Sequence, residues 1–252
     1  MTMLNKLPLL VLGCAATMNA SAAQVHAAVA ANFTEAMKSV VEKFEAETGH
    51  EVVLSFGSSG KILAQIQNGA PFEVFLSADQ AKPKALEEAG MVHSGSRFTY
   101  AVGALALWST LPDFIEDDYS RLSSGDFNKL ALANPKLAPY GLAATEVLDA
   151  LDLTDATKAK WVQGENIAQT YQFVATGNAN LGFVALSQIM SDGHVTEGSS
   201  WIVPSDLYSP IRQDAVLLER GADNEAAIAL LDYLQSSSVA HDIIHSYGYE
   251  TE

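Results

Sequence analysis

The residues best suited to chemistry in this sequence are short polar side chains where an apolar run gives way to a helical pattern. Asn32 follows the run QVHAAVAA, Ser58 and Ser59 follow EVVLSF, and Asn166 precedes the helical pattern that begins at Ile167. The first turn of a helix has backbone N–H groups without intrahelical partners and carries the positive end of the helix dipole. Such helix starts together could bind a small anion with neutral donors alone.

A fourth helix start of this kind follows Pro139, Tyr140 and Gly141, so that two candidate sites fall in each half of the chain. Each start alone is explained by ordinary helix capping, for which Asn and Ser are preferred. The stretch NFTE even has the pattern of a capping box, with Asn32 as the N-cap and Glu35 at the third helical position. The recurrence of the four starts is what predicts an oxyanion site.

The hexapeptide FGSSGK resembles a phosphate-binding loop but departs from that motif at two points. A nucleotide-binding P-loop has the pattern G-x-x-x-x-G-K-[ST]. Here only two residues separate Gly57 from Gly60, and Ile62 takes the place of the magnesium-binding hydroxyl. The spacing therefore excludes nucleotide binding, and we expect Lys61 to point to solvent from the first helical turn.

An enzymatic alternative rests on the segment HDIIH near the end of the chain. His241 and His245 lie one helical turn apart around an acid, as in the zinc-binding pattern H-E-x-x-H. The acid is Asp rather than Glu, and the only further candidate ligands nearby are Glu250 and Glu252. A metal-dependent hydrolase using these histidines is therefore one hypothesis; a solvated helix face and a protein that is not an enzyme is the other.

Alternating strand and helix patterns position these residues. The strand patterns QVHAAVAA, EVVLSF and FEVFLSA alternate with helical patterns, which is typical of an open, mostly parallel α/β sheet. The run TYAVGALALW predicts one strand that crosses between two lobes, and a second α/β series follows it. The predicted helices span residues 33–47, 61–67, 82–89, 141–151, 158–162, 167–176, 224–235 and 239–246.

The chain is predicted to form two lobes, each a mixed, mostly parallel sheet flanked by helices, with a ligand cleft between them. Small ligands bind in such clefts, where strands end and helices begin. The expected division is a signal peptide at 1–23, the first part of lobe 1 at 24–103, an inserted lobe 2 at 104–207 and a return segment of lobe 1 at 208–252.

The N-terminus has the pattern of a secretory signal peptide. Lys6 precedes the apolar stretch LPLLVLGCAA, and small residues then lead to cleavage after Ala22 or Ala23. The single cysteine, Cys14, lies in VLGC, so that a lipidated N-terminus is the alternative to ordinary cleavage. The mature protein is therefore expected to be soluble and exported.

The charge of the chain restricts its partners. The formal net charge is −16 at pH 7, and 17% of the residues are charged. Nucleic acid is excluded as a partner because phosphate binding needs a basic face. A small anion remains compatible, because carboxylates at a distance are screened within about 10 Å at physiological salt.

Four segments of the sequence together resemble the periplasmic molybdate-binding proteins of ABC transporters, which are type II periplasmic binding proteins. The resemblance implies oxyanion donors at Asn32, Ser59 and Tyr140 and a backbone N–H donor at Ile167. It leaves Ala31, Ser58 and Asn166 as secondary candidates. Ala185 stands where some members have a tyrosine that contacts the anion. The segments are AANFTEAMKSVVEKFEAETGHEVVLSFGSSGKILAQIQNGAPFEVFLSADQ, LALANPKLAPYGLAATEVL, GENIAQTYQFVATGNANLGFVALSQ and DYLQSSSVAHDIIHSYGY.

The resemblance also implies a transport function without a cofactor. Molybdate or tungstate would be captured between the closing lobes and delivered to an ABC permease in the inner membrane. Sulfate and chromate are alternative ligands, because they are tetrahedral dianions with similar acceptors, and pocket size must separate them. Phosphate is disfavoured because its protonated form needs a buried acceptor, and the four helix starts contain no such carboxylate.

Overall fold

A computed structural model describes residues 22–251 of the protein. The predicted signal peptide up to residue 21, including Cys14, lies outside the described residues, as does Glu252. The strands are β1 Gln24–Ala30, β2 Glu51–Gly57, β3 Val74–Leu76, β4 Phe98–Gly103, β5 Leu105–Ser109, β6 Leu130–Ala133, β7 Trp161–Gly164, β8 Leu181–Ala185, β9 Met190–Ser191, β10 His194–Val195, β11 Ser199–Ile202 and β12 Ile211–Leu217. The helices are α1 Thr34–Thr48, α2 Ser59–Gln67, α3 Ala81–Glu88, α4 Ser120–Ser124, α5 Pro139–Ala150, α6 Thr154–Lys158, α7 Ile167–Ala175, α8 Glu225–Ser236 and α9 Ser238–Ser246.

The strands form two five-stranded mixed sheets, and we call the parts of the chain built on them lobe 1 and lobe 2. The first sheet has the order β2-β1-β3-β12-β4, and the second has the order β11-β5-β8-β6-β7. In the first sheet, β1 runs parallel to β2 and β3, while β12 is antiparallel to β3 and β4. In the second, β6 is parallel to β7 and β8, and β5 is antiparallel to β8 and β11. The predicted fold class is confirmed.

Helices cover both faces of the first sheet because its central strands are apolar on both sides. Strand β1 has the sequence QVHAAVA, and its last four residues are buried. Helix α1 buries Met37, Val40 and Phe44 in the core on one face, where α8 and α9 also pack. Helix α2 buries Ile62 and Ile66 in the core on the other face. Continuous apolar strands of this kind are typical of parallel sheets buried on both faces.

The chain crosses between the sheets at two places. Strand β4 ends at Gly103 and β5 begins at Leu105, so the single strand predicted for TYAVGALALW was wrong: it divides at Ala104, where the chain passes to the other sheet. The return crossing joins β11 to β12, and here the Tyr208 hydroxyl accepts a hydrogen bond from the Leu105 N–H at 3.1 Å. The domain boundaries at 103/104 and 207/208 stay a prediction.

Other differences from the predicted elements are local. The helix predicted over residues 158–162 was wrong: α6 ends at Lys158, and Trp161–Gly164 forms β7, because this segment pairs in parallel with β6. Helices α2 and α5 each begin two residues earlier than predicted, at Ser59 and Pro139. Within residues 22–251, no helix is both long enough and apolar enough to span a bilayer.

Candidate functional site

All seven predicted site residues line one small cavity between the lobes. The cavity is much smaller than the roughly 300–1,000 Å³ that is usual for sites binding organic ligands. No charged side chain is among its lining residues, which is a suitable environment for a small anion bound by neutral donors. The lining residues are Ala30, Ala31, Asn32, Gly57, Ser58, Ser59 and Ala78 from lobe 1 and Ala138, Pro139, Tyr140, Asn166 and Ile167 from lobe 2.

Strand register explains why residues far apart in sequence meet at this cavity. In lobe 1, the last residue of β1, Ala30, pairs with the last residue of β2, Gly57. In lobe 2, the end of β6 at Ala133 pairs with the end of β7 at Gly164. Because parallel strands end at the same edge of a sheet, the helix starts that follow emerge side by side. Lobe 1 therefore presents the 3₁₀ turn Ala31–Phe33 and the start of α2 to the cleft, and lobe 2 presents the starts of α5 and α7.

Ser58 carries a buried hydroxyl without a hydrogen-bond partner among the described residues. It occupies the N-cap position of α2 but makes no side-chain cap hydrogen bond. An unsatisfied buried polar group typically costs about 1–3 kcal/mol. The Ser58 hydroxyl is therefore free to donate to a ligand in the cavity.

Ser59, the serine that the resemblance selected, has a different arrangement. Its Oγ accepts a hydrogen bond from the backbone N–H of Ala78 at 2.9 Å. This contact joins α2 to the end of β3 and occupies one lone pair of the oxygen. A serine hydroxyl donates one proton as well as accepting, so Ser59 keeps its donor while its orientation is restrained.

Asn32 lies in a 3₁₀ turn, Ala31–Phe33, and does not cap a helix. The predicted capping box was wrong: α1 begins at Thr34, and Glu35 instead pairs with Lys38 at 2.8 Å. The two amide protons of Asn32 are donated to Gln213 Oε1 at 2.7 Å and to the Tyr249 hydroxyl at 2.9 Å. Asn32 can therefore donate to the cavity only through its backbone N–H.

The donors of lobe 2 come from the first turns of α5 and α7. Pro139 opens α5, so the N–H of Tyr140 is the first available in that helix. Asn166 caps α7, as predicted, by accepting from the N–H of Gln169 at 2.9 Å. The N–H of Ile167 lies in the first turn of α7, which by geometry has no intrahelical acceptor for it.

A buried network of neutral polar side chains, which we call the interlobe network, lies beside Asn32 and joins the lobes. The Ser187 hydroxyl of lobe 2 donates to the carbonyl oxygen of Asn32 at 3.0 Å, and Tyr249 Oη lies 2.9 Å from Ser187 Oγ. Gln213 Nε2 donates to the Tyr140 hydroxyl at 3.4 Å. Burial raises the pKa of Tyr249 to about 12 and the pKa of Tyr140 well above its usual value, so both phenols stay protonated at neutral pH.

Sequence reasoning missed three members of this network: Ser187, Gln213 and Tyr249. Their partner Asn32 lies 155 to 217 residues away, so no local pattern could connect them. No local signal singles out Gln213 either, because Arg212 and Asp214 flank it in β12 and its full burial is visible only in the structure.

Two further residues near the cavity connect the lobes at its mouth. Lys61 does not simply point to solvent, as the sequence suggested, but pairs with Glu165 of lobe 2, with Nζ 2.9 and 3.0 Å from the two carboxylate oxygens. Next to it, the Gly60 N–H donates to the carbonyl oxygen of Leu137 in lobe 2 at 3.0 Å. The structure therefore has the two lobes in contact around the cavity.

The two histidines of the alternative zinc site at HDIIH have hydrogen-bond partners within the chain. His241 Nε2 lies 3.2 Å from the Leu234 carbonyl oxygen, and His245 Nε2 lies 2.9 Å from the Thr251 hydroxyl. In the part of the chain that the structure describes, no cluster of three or more His, Cys, Asp or Glu side chains is arranged to hold a metal ion.

A two-lobed α/β fold with a small cavity between the lobes, lined by neutral residues, defines a type II periplasmic binding protein. The family described as bacterial extracellular solute-binding protein matches residues 25–250, and the chain belongs to that family. Its relatives are solute-binding proteins and not enzymes.

Individual relatives are named for the ions that they bind. The chain is 57% identical to the molybdate-binding protein ModA of Azotobacter vinelandii, over 94% of this chain and 92% of the relative. It is 51% identical to ModA of Rhodobacter capsulatus, over 96% of this chain and 94% of that one. A solved periplasmic molybdate-binding protein of A. vinelandii superposes with a TM-score of 0.88 at 38% identity, covering 90% of this chain and 99% of that one. The sulfate-binding protein SubI of Mycobacterium tuberculosis shares the fold, with a TM-score of 0.75 at 12% identity over 91% of this chain and 87% of that one.

Proposed function

We propose that this protein is an extracytoplasmic solute-binding protein that captures molybdate or tungstate and delivers it to an ABC permease. The observation that carries the proposal is the unpartnered, buried Ser58 hydroxyl in a small cavity without charged lining residues. Relatives that are 57% and 51% identical and are molybdate-binding proteins support the choice of anion.

The proposed ligand donors are the Ser59 hydroxyl and the backbone N–H groups of Asn32, Tyr140 and Ile167. Among the secondary candidates, Ser58 joins them as a second hydroxyl donor, because its hydroxyl has no hydrogen-bond partner among residues 22–251. The N–H of Ala31 could add a contact, whereas the Asn166 side chain is used to cap α7. Hydrogen bonds to a charged acceptor contribute about 1.5–3 kcal/mol each, so a few of them suffice for tight binding.

Capture proceeds by closure of the lobes on the anion. Lobe 1 supplies the serines and lobe 2 supplies the starts of α5 and α7, so both can donate to one anion only in the closed state. The anion then adds contacts that the open state lacks, which shifts the population towards closure. The closed form is the species that would dock on the permease.

The cellular setting completes the proposal. The protein is exported by its N-terminal signal peptide and acts in the periplasm as a monomer, with lipid anchoring through Cys14 as the alternative form of attachment. It needs no cofactor, and molybdenum enters only as the bound oxyanion. The lobes are divided at 24–103, 104–207 and 208–252.

A calorimetric titration with molybdate, tungstate, chromate, sulfate and phosphate tests this function. Molybdate and tungstate should bind with one site per chain and should raise the melting temperature, because a ligand at 100 times its Kd adds about 2.7 kcal/mol to stability. Phosphate should bind poorly, since no carboxylate lines the cavity to accept its proton. Equal affinity for sulfate or chromate would overturn the choice of molybdate, and failure of all five to bind would overturn the function.

A further inference from the structure

Gly60 makes a backbone-to-backbone hydrogen bond between the lobes, next in sequence to the cavity-lining serines. Its N–H donates to the Leu137 carbonyl oxygen at 3.0 Å. A Cβ added at Gly60 would lie 3.1 Å from both the Cα and the carbonyl oxygen of Leu137 and 3.4 Å from its Cδ2. The two 3.1 Å distances are tighter than nine in ten real Cβ contacts, so a side chain at position 60 would displace the backbone of the opposite lobe by a few tenths of an ångström.

The conformation of Gly60 does not itself require glycine. Gly60 lies in the first turn of α2 and is not among the residues with positive φ. Alanine is a better helix former than glycine, by about 1 kcal/mol in a helix interior. The three nearest atoms that an added Cβ would meet outside its own helix backbone all belong to Leu137, in the other lobe. Lobe 1 by itself would therefore accept alanine at position 60. The added methyl group would collide only in the closed state, in which Leu137 of lobe 2 lies against it.

The position of this contact connects it to the anion. Ser58 and Ser59 immediately precede Gly60, and Tyr140 follows Leu137 by three residues. Donors of both lobes thus lie on the same short backbone segments that meet at Gly60. Lys61 and Glu165 pair beside this contact, which places the first turn of α2 against lobe 2 by a second observation.

We propose that Gly60 is a positioning residue that sets the spacing of the two lobes in the closed state. This inference rests on the proposed function and adds how the closed cleft fits its anion. Without a side chain at position 60, the lobes approach until the two backbones touch. A methyl group there would hold the lobes apart, so the donors of one lobe would lie too far from an anion held by the other. Well-formed N–H···O bonds need a separation of about 2.7–3.2 Å.

The test compares Gly60→Ala with a matched variant in which the added methyl collides within a single lobe. Gly221 also lacks a positive φ, and its added Cβ would lie 2.8 Å from Glu73 Cβ and 2.9 Å from Glu73 O, both in lobe 1. Each full-length variant is melted without ligand and then titrated with sodium molybdate, and molybdate release is followed by stopped flow.

Gly60→Ala should leave the ligand-free melting temperature unchanged or raised, weaken molybdate binding on the order of tenfold and speed its release. Gly221→Ala should show the reverse: a lower ligand-free melting temperature with unchanged molybdate affinity. Wild-type affinity in Gly60→Ala would overturn the inference, as would a fall in ligand-free melting temperature equal to that of Gly221→Ala. If the wild type fails to bind molybdate, the proposed function fails, whatever the variants do.

Discussion

Replacing Ser58 by alanine removes a buried hydroxyl that has no partner among the described residues, from a residue that lines the ligand cavity. The Oγ is buried and has no partner among the described residues, and it does not cap α2. The substitution therefore breaks no hydrogen bond within the protein. Its neighbour Ser59 differs, because Ser59 Oγ accepts from the Ala78 N–H at 2.9 Å. The two serines should respond oppositely in the absence of ligand and alike in its presence.

The magnitudes follow from these contacts. A hydrogen bond from Ser58 to a charged oxyanion is worth about 1.5–3 kcal/mol, so Ser58→Ala should weaken molybdate binding by roughly 10- to 150-fold. The ligand-free stability should stay the same or rise, because an unpaired buried hydroxyl is removed. Ser59→Ala should weaken binding by a similar factor and also destabilise the ligand-free protein by about 1 kcal/mol, the usual worth of a hydrogen bond.

Thermal melts without ligand and calorimetric titrations with molybdate measure the two effects separately. Ser39→Ala is the matched control, because Ser39 Oγ lies 3.0 Å from the Tyr247 hydroxyl within lobe 1, away from the cavity. This variant should keep wild-type affinity. If Ser58→Ala binds molybdate as tightly as the wild type, or if it unfolds as readily as Ser59→Ala, the assignment of Ser58 as a ligand donor is refuted.

Two further predictions concern charge and pH. Glu165→Gln removes the interlobe partner of Lys61; both side chains are about half-exposed, at 55% and 45%, so the pair is worth about 0–1 kcal/mol. The rate of molybdate release should therefore increase by at most about fivefold at low salt, and the difference from the wild type should vanish at high salt. The control is Glu35→Gln, which breaks the pair with Lys38 inside lobe 1. A similar increase in that variant would contradict an interlobe role for Glu165. Tyr249 has its pKa raised to about 12 by burial, so the folded state retains a proton that the unfolded chain loses near pH 10. The free energy of unfolding should be unaffected by this group below pH 10 and should fall as the pH rises from 10 to 12. Denaturant titrations should show a smaller fall at alkaline pH in Tyr249→Phe than in the wild type. An identical fall would show that Tyr249 is not its cause.

The order of strands and helices could be predicted because local patterns carry it. Alternating apolar runs and amphipathic periods marked most elements of both lobes, and Asn166 was correctly predicted to cap α7 because capping depends on neighbouring residues. Segments whose structure depends on a distant partner were predicted wrongly. Trp161–Gly164 is a strand because it pairs with β6, and the run after Thr99 divides at Ala104 because the chain changes sheets there.

The candidate site shows the same limit at the level of single side chains. Residue types and their places at strand-to-helix transitions were enough to select the residues that line the cavity, because parallel strands bring such transitions to one edge. Residue types and positions could not show which donor atoms remain available to a ligand. Asn32 gives its amide protons to Gln213 and Tyr249, whereas Ser58 keeps its hydroxyl unpaired.

The sequence thus contains the chemistry of the site: neutral donors, helix starts and no charged residue among them. The geometry of the site is set by the packing of the two lobes against each other. The contacts of Gly60 with Leu137 and of Lys61 with Glu165 join residues 77 and 104 positions apart in the chain, and they form only when the two sheets are in place. Hydrogen bonding depends on distances of a few tenths of an ångström, which composition and periodicity do not encode locally and which the packed interior sets.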